Sequence, residues 1–447
     1  MSHLRAKTSR QAFDAFDWQR QIAPDHAWYA DIEGHFDPDR YGLRDALLRR
    51  IIPNELTEQF RSVGVVGHRG AGKTTMVRSA IAAASHEYAF ASVTVDALAS
   101  LDEGDFGFAD VLLTLVNAVA AHLDREKASI PDSDLKLFHT WFSEELLSRT
   151  QTSSAQGSIE TSAQASGGIP LFARLTAKLA AIVRSDSQTR REIRQVIERD
   201  PRELVRRANM VFDAAAKALD AKQLLIVIDN LEKINNRALV DTAILRRADE
   251  FRSLRATLIL FLDPADEYAP VTVNASQAFP IVTLPMLPIR QSKDGYDHVD
   301  PAVVAALRDM LGKRAVLDQV FAEPDAAIRA LALHSGGRLR DVLELARNAC
   351  ELAGSKPVAV AHIRRAAEKA AATRRATFRA DDVERLTEIA RTKRILNDPN
   401  HGYLLLHSLV LHYNGRPWWD LHPLLLLEDD IRAAIAARAT VIAPGSP

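Results

Sequence analysis

The segment Gly67–Thr74, with the sequence GHRGAGKT, constrains the fold of this 447-residue chain more than any other feature. Its spacing is G-x-x-x-x-G-K-[ST]. The residues before it, Val63–Val66, form a short apolar run, and Met76–Ala84 after it contains helix-forming residues without Pro or Gly. A strand, a glycine loop and a helix in this order direct backbone N–H groups and a helix N-terminus at an anion. The pattern therefore predicts a site for a nucleotide polyphosphate.

Individual residues of this loop have predicted roles. Glycine at 67, 70 and 72 permits backbone conformations and close approaches that a Cβ would prevent. We expect Lys73 to reach the β- and γ-phosphates and the Thr74 hydroxyl to bind Mg²⁺. The predicted nucleotide-binding residues are Gly67, His68, Arg69, Gly70, Ala71, Gly72, Lys73, Thr74 and Thr75.

A second apolar run, Leu224–Ile228, is followed directly by Asp229. A continuous run of this kind is typical of a parallel strand buried on both faces. Asp229 is the predicted second Mg²⁺ residue, and its alternative role is an N-cap at the strand end. Glu232 is a candidate base that would act on a water molecule, although its position after the strand is equally compatible with an exposed loop residue.

Three further strands are predicted, so that the core is an α/β P-loop NTPase with a five-stranded parallel sheet. Prolines at the ends of the last strand favour an edge or terminal position for it. The three runs are Phe90–Val95, Ala256–Leu262 and Phe279–Leu284.

This order of elements resembles that of the AAA+ ATPases, and within them the branch shared by replication-initiator-like and STAND-type signalling ATPases. The segment Ser335–Asp341, SGGRLRD, resembles the sensor 2 motif of their helical lid. The resemblance implies that Arg340 contacts the γ-phosphate and couples it to the lid, and the alternative is a helix start whose Arg340 pairs with a nearby acid. It also implies ATP and Mg²⁺ as cofactors, with ATP preferred over GTP.

Three departures from the family pattern bear on hydrolysis. Asn230 stands where an acid is expected beside Asp229, and Asp263 occupies the sensor 1 position. The segment Pro264–Ala278, where an arginine finger usually lies, contains no Arg or Lys. Turnover is therefore expected to be slow or to use another arginine, for which the candidates are Arg246, Arg247 and Arg290.

The domain prediction begins with an N-terminal arm, residues 1–55, packed near the nucleotide site. Its aromatic side chains either offer the base a stacking face at His26–Tyr29 or pin the arm to the core. The ATPase core spans 56–290 and contains a large helical insertion at about 124–207, followed by a helical lid at 291–355. The aromatic residues of the arm are Phe13, Phe16, Trp18, Trp28, Tyr29, Phe36 and Tyr41.

The insertion accounts for the long separation between Lys73 and Asp229. Its segments Gln151–Ser158 and Thr161–Gly168 are polar and rich in small residues, which predicts a flexible or hairpin stretch. The run Arg190–Arg207 contains seven arginines among several acids. It is either a recognition surface for a partner or a solvated amphipathic helix.

Residues 356–447, the C-terminal segment, are predicted to be a small winged-helix-like domain. Lys356–Arg379 carries seven basic residues and one acid, so it could lie on a nucleic-acid backbone or pair with acids of the same chain. A helix is expected at Asp381–Ile395. Asn414-Gly415 lies between two apolar runs and predicts a hairpin with a type I′ turn.

Composition limits the partners. The net charge of −1 excludes a general attraction to nucleic acid or acidic membranes, the single cysteine excludes an internal disulfide, and no apolar run is long enough to span a bilayer. We therefore expect a cytoplasmic, homo-oligomeric ATPase that regulates or loads a protein effector, for example in bacterial defence or signalling. The alternatives are a DNA-binding initiator- or transposition-type loader and a slowly hydrolysing, nucleotide-bound scaffold.

Overall fold

The computed structural model describes residues 4–440 except 21, 38–40, 55, 57–58, 134–135, 137–139, 142–176, 182–184, 380 and 414–416. At its centre lies a parallel five-stranded sheet with the strand order β2-β3-β4-β1-β5. The prediction of a five-stranded parallel sheet is confirmed, with the short last strand at an edge. The strands are β1 Ser62–Val66, β2 Phe90–Asp96, β3 Gln223–Asp229, β4 Thr257–Leu262 and β5 Ile281–Thr283.

Burial explains why the central strands read as continuous apolar runs. Every residue of β1, β3 and β4 is buried, because helices cover both faces of the sheet. Parallel pairing brings the carboxyl ends of these strands to one edge, with Val66 opposite Leu262 and Ile228 opposite Leu260. The residues that follow the three strands therefore meet at the same place.

Several helices begin at a side-chain cap or a proline, which satisfies or removes the first backbone donors. Thr8, Asp186 and Asp300, for example, each accept a backbone N–H of the helix that follows. The main helices are α1 Ser9–Ala15, α2 Arg44–Ile51, α3 Lys73–Glu87, α4 Ala97–Ser100, α5 Phe108–Arg125, α6 Ser187–Ile197, α7 Pro201–Ala218, α8 Arg237–Ala243, α9 Ala248–Arg252, α10 Pro264–Tyr268, α11 Ala275–Ala278, α12 Pro301–Arg314, α13 Leu317–Val320, α14 Pro324–Ser335, α15 Leu339–Ala353, α16 Val360–Arg375, α17 Asp382–Thr392, α18 Pro399–Leu406 and α19 Asp429–Thr440.

The described part of the predicted insertion packs on the core. The arginine-rich run 190–207 forms parts of two helices, α6 and α7, whose apolar faces join the core on one side of the sheet. Arg190 pairs with Asp102 at 2.6 Å, and Arg194 pairs with Asp105 at 2.8 Å. These arginines therefore serve the fold. The predicted flexible segments Gln151–Ser158 and Thr161–Gly168 lie outside the described residues.

The N-terminal arm, the lid and the C-terminal segment share one apolar core. Helix α1 of the arm packs on α15 of the lid, and the Phe16 ring stacks on Phe321 with centroids 6.2 Å apart. In the C-terminal segment, β6 Val410–Tyr413 and β7 Trp418–Leu421 pair antiparallel as predicted. The predicted Asn414-Gly415 turn lies outside the described residues. No helix in the described ranges is both long and apolar enough to cross a membrane.

Candidate nucleotide-binding site

The glycine loop follows β1 and ends where α3 begins, at Lys73. Gly70 and Gly72 have φ values of +84° and +99°, a left-handed conformation that other residues adopt rarely. A Cβ on Gly67 would come within 2.7 Å of the Leu284 carbonyl oxygen. The loop thus requires glycine at the positions that the motif specifies, and its geometry leads directly into a helix N-terminus. The fold is that of a P-loop NTPase.

Lys73 is buried at the base of the loop, with 4% of its surface exposed. Its ammonium donates to the carbonyl oxygens of Gly67 and His68, the latter at 3.1 Å, and lies 3.5 Å from Oε1 of Glu232. Burial lowers the pKa of Lys73, while the nearby carboxylates oppose that shift. The loop holds the cation where phosphate oxygens could replace the carbonyl acceptors.

Thr74 and Asp229 meet as predicted. The Thr74 hydroxyl lies 3.3 and 3.2 Å from the two carboxylate oxygens of Asp229. Burial raises the pKa of Asp229, and the negative charge of Glu232 raises it further. A cation beside the oxygen atoms of Thr74 and Asp229 would stabilise the charged form of this carboxylate. Among the described residues, no cluster of three or more His, Cys, Asp or Glu side chains could hold a metal alone. The two residues fit a Mg²⁺ that takes its other ligands from phosphate and water.

Glu232 lies inside the cleft, in a 3₁₀ turn at Leu231–Lys233. Asn230 adopts the left-handed conformation, with φ of 65°, and this turns the chain back so that Glu232 faces Lys73. Only 4% of Glu232 is exposed, and its Oε2 has no hydrogen-bond partner among the described residues. The sequence alternative, an exposed loop residue, is therefore wrong. The carboxylate has one oxygen left to accept a proton or orient a water molecule.

Asp263, at the sensor 1 position, is buried at the end of β4. One of its oxygens caps α10 by accepting the Ala265 N–H at 2.9 Å, and the other has no partner among the described residues. Burial raises the pKa of Asp263 to about 6, against the opposing charge of Arg237. This carboxyl group therefore changes charge close to neutral pH.

The lid contacts the loop through the start of α15. The Arg340 backbone N–H donates to the Gly70 carbonyl at 3.0 Å, and the Arg338 side chain donates to the Arg69 carbonyl at 2.6 Å. The Arg340 guanidinium lines the cleft and lies 4.7 Å from the centroid of the Trp18 ring. Arg340 is thus held by an aromatic ring of the N-terminal arm. Among the residues that the structure describes, it has no ion pair with an acid, which was the alternative from the sequence.

The N-terminal arm forms the wall of the cleft beyond the loop. The cleft has a volume of about 380 Å³ and is lined by apolar and aromatic side chains together with charged ones, among them Arg20, Asp31 and Glu33 of the arm. Trp28 is buried with the guanidinium carbons of Arg20 and Arg314 at 4.7 and 5.6 Å from its ring centroid. Trp28 and Tyr29 both line the cleft as well, so base stacking by the arm stays a prediction beside pinning to the core. The apolar and aromatic side chains that line the cleft also include Trp18, Ile32, Met76, Met310 and Leu343.

Not every predicted candidate lies in the site. Arg290 is buried against Asp420, with a distance of 2.7 Å, so it cannot act on a neighbouring subunit. Arg247 is paired with Glu198 and Glu250. By contrast, sequence reasoning missed the contributions of Arg314 and Arg338, and it predicted Trp18 only as one of the arm aromatics. Arg338 had a sequence signal, because it lies inside the glycine-arginine motif that contains Arg340.

The chain is similar to several solved structures at low sequence identity. No protein-family model matches the sequence, and no curated protein matches it. Among solved structures, the Aeropyrum pernix ORC2 protein in ADPNP–ADP complexes is 13% identical and has a TM-score of 0.42, with 95% of this chain and 98% of that chain covered. Cdc6p from Pyrobaculum aerophilum is 12% identical with a TM-score of 0.38, and 93% and 99% are covered.

A third solved structure is the Aeropyrum pernix ORC1 protein in complex with DNA. It is 14% identical with a TM-score of 0.39, and 98% of this chain and 99% of that chain are covered. These are Orc1/Cdc6-type proteins of the replication-initiator branch that the sequence motifs resemble.

Proposed function

We propose that this chain binds ATP with Mg²⁺ and hydrolyses it as a switch of the AAA+ type. The observation that carries the proposal is the convergence of Lys73, the Thr74–Asp229 pair and Glu232 at one cleft, which apolar and aromatic side chains of the N-terminal arm and the lid also line. Charged groups for a triphosphate beside an apolar wall for a purine are the two parts that an ATP site needs. The choice of adenine over guanine comes from the family resemblance.

The roles of the residues follow from their positions. Lys73 would exchange its carbonyl acceptors for β- and γ-phosphate oxygens, and Thr74 and Asp229 would hold Mg²⁺. When bound, the metal neutralises charge that develops on the phosphates. Glu232 would orient a water molecule and accept its proton on the unpartnered oxygen. Arg340, at the mouth of the cleft, would pair with the γ-phosphate.

The test is ATP binding and turnover in matched variants. Lys73→Ala should lower ATP affinity at least about tenfold, since it removes a charge-assisted contact from a buried site. The exposed Lys313 provides a control, and Lys313→Ala should bind ATP as the wild type does. Glu232→Gln should keep ATP binding and lower turnover about 100-fold or more. Unchanged binding in Lys73→Ala would refute the site, and unchanged turnover in Glu232→Gln would place the base elsewhere.

The same turnover measurement separates an ATPase from the scaffold alternative. A base positioned 3.5 Å from Lys73 favours hydrolysis, even though Asn230 replaces the expected acid. A wild type that binds ATP without measurable turnover would instead support a nucleotide-bound scaffold.

The resemblance extends the proposal to a homo-oligomer that regulates or loads a protein effector, as in bacterial defence or signalling, through the insertion or the C-terminal segment. Arg246 supports the oligomeric part. Its side chain is 46% exposed and donates to Thr272, within the segment Pro264–Ala278 that lacks its own arginine. Arg246→Ala should lower turnover at protein concentrations where light scattering detects oligomers. An unaffected rate there would remove Arg246 as the residue acting in trans.

A DNA-binding loader is the second candidate, and one observation favours it. Arg364, Arg365 and Lys369 of α16 are exposed. Other basic residues of the predicted Lys356–Arg379 surface are engaged within the chain, since Arg374 pairs with Asp341 and Arg375 pairs with Asp430.

The candidate surface is therefore smaller than the sequence suggests. Salt-sensitive binding of duplex DNA that is lost when Arg364, Arg365 and Lys369 become Ala would support the loader. Absence of binding at low salt would exclude it.

A further inference from the structure

Strand β6 of the C-terminal segment lies directly against the glycine loop. The backbone N–H of His412 donates to Nε2 of His68 at 3.1 Å, across 344 residues of sequence. Both rings are buried, with 1% of His68 and 3% of His412 exposed. Burial and neighbouring positive charges lower the pKa of His68 well below its usual value. The ring is therefore neutral at physiological pH and keeps the lone pair that this hydrogen bond requires.

The peptide of His412 is fixed on its other side as well. Its carbonyl accepts the backbone N–H of Met286 at 2.9 Å, and the adjacent Tyr413 hydroxyl donates to the Gly336 carbonyl at 2.8 Å. Strand β6 thus contacts three parts of the protein: the glycine loop, the segment that follows β5 and the turn before lid helix α15. A displacement of His68 would therefore be transmitted to strand β6.

His68 also contacts the part of the site that must respond to phosphate. Its carbonyl oxygen accepts a hydrogen bond from the Lys73 ammonium at 3.1 Å. A phosphate oxygen that binds Lys73 competes for that ammonium. The His68 carbonyl therefore loses its hydrogen bond from Lys73 when nucleotide binds. One residue therefore bonds to the phosphate-sensing lysine through its backbone and to the C-terminal segment through its side chain.

We propose that His68 is a positioning residue that couples nucleotide occupancy of the loop to the position of the C-terminal segment at β6. The inference rests on the proposed ATP site and adds a regulatory output to it. The ligand is a polyphosphate bound at Lys73, and the element that responds is the pair of strands β6 and β7. Trp419 provides a probe, because its ring stacks on the His412 ring with centroids 5.3 Å apart and planes inclined by 15°.

The experiment is ¹⁹F NMR of the full chain labelled with 5-fluorotryptophan. The five tryptophans give separable resonances, and Trp419→Phe assigns the one of interest. In the wild type, ADP or a non-hydrolysable ATP analogue with Mg²⁺ should shift the Trp419 resonance with the same titration midpoint as binding itself. His68→Leu should abolish this shift and weaken nucleotide binding about fivefold, because the loop loses one hydrogen bond that holds its conformation.

His68→Gln is the conservative variant, since its side-chain oxygen can accept the His412 N–H near the position of Nε2. It should restore the Trp419 response and bring affinity to within about twofold of the wild type. His298→Leu, which removes an exposed histidine far from the loop, should behave as the wild type. If His68→Leu does not fold, His68→Asn replaces it, because its amide is polar but too short to reach His412.

Each outcome decides the proposal. A Trp419 response of wild-type size in a folded His68→Leu or His68→Asn overturns the coupling. A wild type that binds nucleotide with an unmoved Trp419 resonance also overturns it, while the proposed function survives. A wild type that binds no nucleotide contradicts the proposed function and the coupling together. Loss of the Trp419 response in His68→Leu, together with its recovery in His68→Gln, supports the coupling over a merely structural role.

Discussion

Asp341 is the carboxylate at which the lid, helix α16 and the C-terminal segment meet. Its oxygens lie 2.7 Å from Arg338, 2.9 Å from Arg374 and 2.6 Å from Nε2 of His422. Burial alone would raise the pKa of Asp341, but the two arginines and His422 hold it well below its usual range. Arg338 also donates to the Arg69 carbonyl of the glycine loop, so the network reaches the site.

The Asp341→Asn substitution keeps the size of the side chain and removes its charge. Two guanidinium groups, with only 10% and 14% of their side chains exposed, would then lie buried without a counter-charge. Removal of one partner from a buried ion pair lowers stability by about 3–5 kcal/mol. We expect a loss of stability in this range. Nucleotide binding should also weaken, because Arg338 no longer holds the loop carbonyl with the same geometry.

The assay is urea unfolding followed by tryptophan fluorescence, as a function of pH. Because the folded-state pKa of Asp341 lies below its unfolded value, its contribution is complete above about pH 4 and is lost as the pH falls through the folded pKa. The difference between wild type and Asp341→Asn should therefore be constant from about pH 5 to 8 and shrink in stronger acid.

Asp325 offers a matched control, since its side chain is 83% exposed and pairs with Arg308 at the surface. Asp325→Asn should change stability by less than about 0.5 kcal/mol. A loss below about 1 kcal/mol in Asp341→Asn near pH 7, or one that grows in acid, would refute the assigned network.

Asp263→Asn should stabilise the nucleotide-free protein near pH 7 by up to about 3 kcal/mol and by much less near pH 4. The reason is that folding raises the pKa of Asp263 from 3.8 to about 6, so the charged carboxylate disfavours the folded state once the pH exceeds the lower value. Thermal unfolding at both pH values measures this, and an equal gain at each would contradict it. Gly70→Ala should lower ATP affinity about tenfold or more, since φ is +84° and a Cβ would lie 2.6 Å from that of Arg340. Gly354→Ala, at a positive φ with no atom near the added Cβ, should lose stability without loss of affinity, and equal affinity losses in both would refute the contact argument. Chelation of Mg²⁺ with EDTA should abolish turnover, and a rate insensitive to EDTA would remove Thr74 and Asp229 from the assigned role.

Much of the fold followed from local patterns. The glycine spacing requires particular backbone angles, so the loop at Gly67–Thr74 and the helix after it were predictable. Apolar runs located all five strands, and Pro280 and Pro285 correctly indicated the edge strand. Asp229 was predictable because a strand end fixes where the next side chain lies. The sequence also offered Glu232 as a candidate base, but its burial inside the cleft was not predictable, since it depends on the left-handed conformation of Asn230.

Charge runs were less informative than they seemed from the sequence. A run of basic residues does not reveal which acids lie beside it after folding. The structure pairs Arg374 with Asp341 and Arg375 with Asp430, acids that lie 33 and 55 residues away in the sequence. Likewise, Arg290 is buried against Asp420 rather than exposed to a neighbouring subunit.

The glycine loop, the strand that ends at Asp229 and the lid motif around Arg340 could each be predicted, because each depends on residues that lie close together in the chain. The bond of His412 to His68, and the contacts of Asp341 with two arginines and His422, could be known only from the folded chain. Those contacts arise when distant elements pack, and their partners are selected by burial and hydrogen bonding rather than by spacing.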